Sequence, residues 1–355
     1  MLHGGEIHNC AKIEYDFSVN INPLGIPESV IRKLCENAAA MMQYPDQECR
    51  ELRKALEKFT GVPARQILCG NGASELIEAT VRGLGARSIL LAAPSFSGYQ
   101  HAAKAAGAQI LWHTLRREDG FALTPAYLDD LAKGPDLAIL CSPANPVGNR
   151  IDPELLTRIA RTCGEQGIWL LVDECFIGFM ADEEQTTMRR LIGAPECGGR
   201  LLVLDAFTKR FAMPGIRLGY LMGRDPEVLA RIHAHQPEWS VSVPAQIAGA
   251  AALKADRSYL ETARSLIATE RRKMEAAMRA YGLRVFPGEA NYIFFSSGTE
   301  LYEPLLAKGI LIRQCGNYRG LEESDYRVAV LRPRENEILL QAMEEILKGK
   351  ESADG

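Results

Sequence analysis

The most informative stretch of the chain reads Leu201-Leu-Val-Leu-Asp-Ala-Phe-Thr-Lys209-Arg-Phe-Ala-Met-Pro-Gly-Ile-Arg217-Leu-Gly-Tyr220. Its apolar start, Leu201–Leu204, predicts a buried strand, and Thr208 and Lys209 follow shortly after it. Open α/β sheets bind their ligands at the carboxyl ends of their strands. The stretch therefore predicts a ligand site at Lys209, with a second cation, Arg217, eight residues farther along the chain.

Apolar runs alternate with helical patterns on both sides of this stretch. The predicted strands are Ser88–Ala92, Gln109–His113, Leu137–Cys141, Trp169–Val172, Leu201–Leu204 and Gly219–Met222. The predicted helices between them include Ser74–Gly83, Ser97–Ala106 and Pro153–Gln166. Such alternation is typical of βαβ units around a mostly parallel sheet. We predict an α/β fold with a three-layer, doubly wound, mostly parallel sheet.

The pattern changes after about residue 243, which indicates a second domain. A long helical run to Tyr281 precedes short strands and a closing amphipathic helix. These strands and this helix are Asn291–Phe295, Gly309–Arg313, Tyr326–Val330 and Arg334–Leu347. We therefore assign residues 41–242 to a large domain that holds the ligand site at Lys209, and residues 243–355 to a small α+β domain. Residues 1–40 form an N-terminal arm and part of the small domain, which both chain ends would then build.

Composition disfavours several classes of function. The 355 residues carry 41 Lys+Arg and 45 Asp+Glu, a net charge of -4, so no positive excess favours nucleic acid or an anionic membrane. No apolar run approaches the roughly 18 residues that span a bilayer, and no signal peptide opens the chain, so we expect a cytoplasmic protein. Nine cysteines without a C-x-x-C pair indicate reduced thiols and no metal site.

Other predicted strand ends and turns carry polar groups that suit one cofactor. Gly70–Ser74 is a glycine-rich turn that opens a helix and offers N–H groups to a phosphate. Asn145 follows one strand, and Asp173 ends another, where a buried carboxylate needs a cationic partner. With Lys209, these groups are what pyridoxal 5′-phosphate requires: a lysine for covalent attachment, a carboxylate, an amide and an anion cradle.

The ordered set of these motifs resembles the fold-type I pyridoxal-phosphate enzymes of the class I/II aminotransferase group, from about Asp16 to Leu347. The resemblance implies that Lys209 binds the cofactor covalently and moves protons, and that Asp173 pairs with the pyridinium nitrogen. It implies a homodimer in which Tyr44 reaches the partner's cofactor phosphate. The remaining cofactor contacts that it implies are Gly72, Ala73, Ser74, Phe96 on the ring face, Asn145 at the ring oxygen, Thr208 and Arg217.

Two families within this group are most similar, the histidinol-phosphate aminotransferases and the threonine-phosphate decarboxylases. The opening around His3, and Asp16–Gly25 with Asn20, is similar to the decarboxylases, where the histidine helps to hold the substrate phosphate. The segment around Arg313, fourteen residues before Arg327, also resembles the decarboxylases. The resemblance therefore implies His3, Asn20, Arg313 and Arg327 as contacts to a small phosphorylated amino acid.

Position 176 separates the two families further. The chain has Phe176 where aminotransferases of this group carry a tyrosine whose hydroxyl bonds the ring oxygen of the cofactor.

The substrate contacts also favour a decarboxylase. If they bind the substrate phosphate, the substrate carboxylate can stand perpendicular to the cofactor ring, so that CO2 leaves Cα instead of a proton. One feature departs from the decarboxylase pattern, because Arg332 follows Leu331 and would point to the opposite strand face.

We therefore expect decarboxylation of L-threonine O-3-phosphate to (R)-1-aminopropan-2-ol O-2-phosphate, a precursor of the cobalamin nucleotide loop. Serine phosphate remains an alternative substrate, because one methyl group discriminates weakly. A histidinol-phosphate aminotransferase is the alternative reaction. A non-catalytic pyridoxal-phosphate sensor is a remote alternative, since the sequence has Lys209 and lacks a DNA-binding extension.

Overall fold

A computed structural model of the chain describes residues 5, 13–255 and 257–354. The predicted substrate contact His3 lies outside the described residues. The strands are β1 (Tyr15–Asp16), β2 (Ile67–Gly70), β3 (Ser88–Ala93), β4 (Gln109–Thr114), β5 (Leu137–Cys141), β6 (Trp169–Asp173), β7 (Leu201–Ala206), β8 (Gly219–Gly223), β9 (Arg284–Val285), β10 (Tyr292–Ser296), β11 (Ile310–Leu311), β12 (Arg313–Gln314) and β13 (Asp325–Ala329).

Helices fill most of the chain between these strands. They are α1 (Glu28–Glu36), α2 (Arg50–Thr60), α3 (Gly72–Gly83), α4 (Ser97–Ala105), α5 (Tyr127–Leu131), α6 (Pro153–Gln166), α7 (Glu183–Thr186), α8 (Phe207–Arg210), α9 (Pro226–His233), α10 (Val243–Ala252), α11 (Arg257–Ala280), α12 (Tyr302–Ala307) and α13 (Pro333–Asp354). The described part of the chain contains no helix that is both long enough and apolar enough to cross a membrane.

The large sheet has seven strands in the order β2-β8-β7-β6-β5-β3-β4. The pairs among β3, β4, β5, β6 and β7 are parallel, whereas β8 runs antiparallel to β7 and to β2. The predicted α/β fold with a mostly parallel sheet is confirmed. The sequence analysis missed β2, because a four-residue strand that ends in glycine shows too little periodicity to be recognised.

Alternate residues of the central strands enter two separate hydrophobic cores. In β7, Leu202 and Leu204 pack toward α3, α4 and α9, whereas Leu201 and Val203 pack toward α2, α6 and α10. A strand that is covered on both faces needs a continuous apolar run, which is why this segment was recognisable as a buried strand. The two cores sandwich the sheet, so the predicted three-layer arrangement is confirmed.

A second, antiparallel sheet has the order β12-β13-β10-β9. Near it, β1 pairs in parallel with β11, so residues 15 and 16 of the N-terminal arm pack against the carboxyl-terminal part of the chain. The single helical run predicted after residue 243 is two helices, α10 and α11, because the chain turns at Lys254 and Ala255. The alanines of α10 enter the same core as α2, and the domain division near residue 243 stays a prediction.

Candidate active site

A cavity of about 200 Å3 opens where β5, β6 and β7 end and α3 begins. The structure brings together at this one place eight of the predicted cofactor contacts, which come from five separate segments of the chain. The lining residues are Ala73, Ser74, Phe96, Tyr99, Cys141, Asn145, Asp173, Cys175, Phe176, Ala206, Thr208, Lys209 and Arg217.

Asp173 ends β6 and is 5% exposed. Its Oδ2 accepts a hydrogen bond from the Tyr99 hydroxyl at 2.7 Å, and its Oδ1 accepts one from the Cys175 N–H at 3.0 Å. Burial, and then the charge of Asp173, raise the pKa of Tyr99 well above its usual value, so Tyr99 remains a donor. Both donors are neutral groups, so the site leaves a place beside this carboxylate for a cation in the cavity, such as a pyridinium.

The sequence analysis missed Tyr99. The spacing could have indicated it. Tyr99 lies three residues after Phe96, and residues three apart at a helix start lie on the same helix face. The two rings meet edge to face, with centroids 5.5 Å apart. Gly98 lies between them in the chain, and a Cβ there would approach the Phe96 ring to 2.3 Å. The missing side chain at Gly98 therefore leaves room for the Phe96 ring in the cavity wall.

Lys209 lies in the four-residue helix α8, just after β7. Burial, and then the positive charges of Arg327 and Arg217, lower the pKa of Lys209 from 10.5 to about 8. Its Nζ lies 5.8 Å from the centroid of the Phe176 ring. An amine with a lowered pKa is a better nucleophile and proton acceptor near neutral pH, so Lys209 is suited to covalent attachment of a carbonyl compound.

The start of α3 and Arg217 together form an anion cradle. Gly72 has a φ of +80°, and a Cβ there would lie 2.4 Å from Nη2 of Arg217. The absence of a side chain therefore lets the guanidinium approach the first turn of α3, where Ala73 and Ser74 lie. Helix amino termini attract anions through their unpaired N–H groups, and Arg217 adds a positive charge. The cradle suits a phosphate group.

Arg327, on β13, comes from the small sheet and contacts Asn145 of the cavity wall, although it does not line the cavity itself. It is 5% exposed, and its Nη1 donates to Oδ1 of Asn145. Its Nη2 donates to the Ser18 carbonyl at 2.9 Å, and the Asn20 amide oxygen accepts from its Nε and Nη1 at 3.2 Å when that amide faces Arg327. All these acceptors are neutral, so this buried guanidinium is suited to a substrate anion.

Arg313 stands beside Arg327 across the β12–β13 pair, where the two residues are directly opposite each other. Arg313 is 1% exposed, and its Nη2 donates to Oδ1 of Asn317 at 2.7 Å. Its guanidinium also lies 5.3 Å from the centroid of the Tyr318 ring. Opposed residues of neighbouring strands project to the same sheet face, so two guanidinium groups share one side of the small sheet.

Comparison with known proteins identifies the family. Residues 12–343 match the family model described as aminotransferase class I and II. The chain belongs to this family. It is 38% identical to a threonine-phosphate decarboxylase of Salmonella typhimurium, over 99% of this chain and 98% of the relative. It is 34% identical to a histidinol-phosphate aminotransferase of Desulfitobacterium hafniense, over 96% of this chain and 93% of the relative.

A solved structure of a class I and II aminotransferase relative supports the same fold. The histidinol-phosphate aminotransferase from Clostridium acetobutylicum is 31% identical and superposes with a TM-score of 0.87, over 94% of this chain and 99% of the other. The cofactor of this chain is pyridoxal 5′-phosphate. The buried Asp173, the cradle at Gly72 and Lys209 with its lowered pKa fit that cofactor.

Phe176, which the sequence analysis contrasts with a tyrosine of the aminotransferases, lies in the cavity wall. Phe176 is buried and packs edge to face against Tyr292, with ring centroids 5.1 Å apart. The Tyr292 hydroxyl donates to the Ala144 carbonyl at 2.6 Å. Burial raises the pKa of the neighbouring thiols Cys141 and Cys175 above the usual cysteine value, so both are neutral.

Two residues considered in the sequence analysis lie away from the cavity. Tyr44 is 82% exposed, and its ring centroid lies 4.9 Å from that of Trp239. Arg332 is exposed, and its guanidinium donates to the carbonyls of Pro23 and Leu24 at 2.9 and 3.3 Å. Neither side chain contributes to the cavity wall.

Proposed function

We propose that this protein is a pyridoxal-phosphate-dependent decarboxylase of the cytoplasm. It converts L-threonine O-3-phosphate to (R)-1-aminopropan-2-ol O-2-phosphate and CO2 for cobalamin biosynthesis. The opposed pair of Arg313 and Arg327 carries this proposal. A substrate with both a carboxylate and a phosphate needs more positive charge than a simple amino acid, and two buried guanidinium groups beside the cofactor site supply it.

We assign the cofactor contacts as follows. When bound, the cofactor withdraws electrons from the substrate Cα. Lys209 binds the cofactor covalently, and Asp173, oriented by Tyr99, holds the proton on the pyridinium nitrogen. The other contacts are Asn145 at the ring oxygen, Phe96 on the ring face, and Gly72, Ala73, Ser74, Thr208 and Arg217 around the phosphate.

The substrate contacts decide which bond to Cα breaks. Arg313 and Arg327, with Asn20 and His3, hold the distal phosphate. An arginine used in this way does not clamp the substrate carboxylate, so the carboxylate can turn to the orientation in which CO2 leaves. Binding energy from the remote phosphate thus sets the reacting geometry. Lys209 then supplies a proton to Cα, since its pKa of about 8 allows transfer near neutral pH.

A histidinol-phosphate aminotransferase is the second candidate. The 34% identity to the Desulfitobacterium hafniense protein and the likeness to the Clostridium acetobutylicum structure favour it. Phe176 disfavours it, because this residue lacks the hydroxyl that aminotransferases of this group place at the ring oxygen. A non-catalytic sensor would show neither reaction.

A direct assay separates these functions. The cofactor-loaded protein is mixed with L-threonine phosphate without a keto acid, and CO2 release is measured together with the cofactor spectrum. We expect continuous CO2 release with an unchanged cofactor band. Conversion of the cofactor to its amine form by histidinol phosphate, with no CO2 from threonine phosphate, would instead establish the aminotransferase. A parallel assay with L-serine phosphate measures the contribution of the substrate methyl group.

We further propose a homodimer in which Tyr44 contacts the partner's cofactor phosphate. Met41, Met42, Tyr44 and Trp239 are exposed apolar side chains, and Tyr44 lies outside its own chain's cavity wall. Clusters of exposed apolar side chains mark interaction surfaces. Sedimentation analysis should give twice the chain mass, and Tyr44→Phe should weaken cofactor binding without dissociating the dimer. A monomer with full activity would contradict this arrangement.

A further inference from the structure

A short segment of the N-terminal arm connects Arg327 to Lys209. At one end, Ser18 and Asn20 accept hydrogen bonds from the Arg327 guanidinium. At the other end, the Asn22 N–H donates to the Lys209 carbonyl at 3.0 Å, and Asn22 Nδ2 donates to the Arg210 carbonyl at 2.9 Å. Five residues, 18–22, therefore join the candidate anion site to the candidate cofactor lysine.

Asn22 is well placed to hold α8. This residue is 1% exposed, and its two donors bind consecutive carbonyl groups of the helix. Because α8 has four residues, its carbonyl oxygens depend on partners outside the helix. The Asn22 Oδ1 accepts from the Leu24 N–H at 3.0 Å, which fixes the rotamer that aims Nδ2 at Arg210.

The side chain of Arg210 anchors α8 a second time. Arg210 is 2% exposed, and its guanidinium donates to both carboxylate oxygens of Glu183 at 2.9 and 2.8 Å and to Asp205 at 2.9 Å. The Arg210 side chain is thus held by two carboxylates, while Asn22 binds the backbone carbonyls of Lys209 and Arg210.

We propose that Asn22 is a positioning residue that keeps Lys209 in place relative to the anion site at Arg327. The proposal rests on the proposed function, in which Lys209 binds the cofactor. Reacting groups must be held closely, and a displacement of about 1 Å can lower a rate by up to about a hundredfold. Loss of the Asn22 side chain removes the hydrogen bond to the Arg210 carbonyl and keeps the backbone bond to the Lys209 carbonyl. With one of its two links to the arm gone, α8 can shift Lys209 while the phosphate contacts of Arg313 and Arg327 stay in place.

A matched control variant tests whether the loss of any hydrogen bond to the N-terminal arm lowers the activity. Arg332 holds the next two residues of the same segment through the Pro23 and Leu24 carbonyls, without contact to α8. Arg332→Ala therefore removes two hydrogen bonds to the arm and none to Lys209. Asn22→Asp is the second test variant, because it keeps the acceptor for Leu24 and replaces the donor that faces Arg210 by an oxygen.

The first readout is the kinetics of CO2 release from L-threonine phosphate. Asn22→Ala and Asn22→Asp should lower kcat roughly tenfold, with KM within about twofold of the wild-type value. Arg332→Ala should keep the wild-type kcat. An equal loss in Arg332→Ala, or an unchanged kcat in both Asn22 variants, would overturn the positioning role.

The second readout does not depend on turnover. The full-length chain without cofactor is treated with acetic anhydride over a range of pH, and the acetylation of Lys209 is followed by peptide mass mapping. In the wild type the midpoint should lie near the pKa of about 8, and in both Asn22 variants it should rise as Lys209 becomes less buried. A midpoint that does not move in those variants would overturn the proposal for Asn22. Absence of CO2 release by the wild type would instead overturn the proposed function, and the labelling would still test Asn22.

Discussion

Tyr99 donates its hydroxyl hydrogen to Oδ2 of Asp173 across 2.7 Å, and both residues are buried. Tyr99 belongs to α4 and Asp173 to the end of β6, so the contact joins a helix to the sheet at the cavity. The hydroxyl orients the carboxylate without neutralising it. A neutral partner of this kind suits a carboxylate that we propose to face the pyridinium nitrogen of the cofactor.

Tyr99→Phe should therefore weaken cofactor binding. A hydrogen bond to a charged group contributes about 1.5–3 kcal/mol, so we expect the dissociation constant of the cofactor to rise at least about tenfold. An absorbance titration of the cofactor-free protein measures this constant. Tyr127→Phe is the matched control, because the buried Tyr127 hydroxyl has no hydrogen-bond partner among the described residues. Equal constants for the two variants would contradict the orienting role of Tyr99.

Gly72→Ala should damage the anion cradle. The new Cβ would lie 2.4 Å from Nη2 of Arg217, so the guanidinium would have to move away from the first turn of α3. We expect weaker binding of the cofactor and of inorganic phosphate as a competitor. Gly61→Ala is the control, since Gly61 has a similar φ of +74° and open space around it. If both variants lost the same affinity, backbone strain rather than the displacement of Arg217 would be the cause.

The sequence predicts the strands that are buried on both faces, because a continuous apolar run is visible without knowledge of the fold. Leu137–Cys141 has the predicted bounds, and Leu201–Leu204 extends by two residues to Ala206. The contact between Tyr99 and Asp173, 74 positions apart, was not predictable in the same way. It depends on how α4 packs on the sheet, and local periodicity carries no information about that distance.

The contacts of the small sheet were also not predictable from local periodicity. The resemblance to a known family pointed to Arg313 and Arg327, but their direct opposition follows from the register between β12 and β13. The contacts of Asn22 with α8 likewise join residues far apart in the chain. The sequence thus identified side chains suited to the chemistry, whereas the structure supplied the partners that orient them.

The reactivity of Lys209 should depend on Arg327. Burial, and then the positive charge of Arg327, lower the pKa of Lys209 to about 8, so Arg327→Gln should raise that pKa toward the ordinary 10.5. Capture of pyridoxal phosphate requires the neutral amine, so the midpoint of its pH–rate profile should move upward. Stopped-flow absorbance over a pH series measures the midpoint. Arg319→Gln removes an exposed arginine that has no part in the lowered pKa of Lys209, so as a control it should leave the midpoint unchanged.

The ionic cluster of Glu183 with Arg210 of α8, Arg189 and Arg264 should make the fold sensitive to acid. Burial alone would raise the pKa of Glu183, but Arg210, Arg189 and Arg264 lower it to about 2, below the usual 4.5. The ionised carboxylate therefore stabilises the fold above about pH 4.5, and this contribution is lost as the pH falls toward 2. Glu183→Gln removes the carboxylate shared by three arginines and leaves Arg210 with Asp205 alone, so we expect a loss of about 3–5 kcal/mol in the free energy of unfolding at neutral pH. Urea unfolding across a pH series tests this expectation, and the exposed Glu36→Gln should leave the urea midpoint unchanged. A Glu183→Gln protein with the acid sensitivity of the wild type would show that another group is responsible.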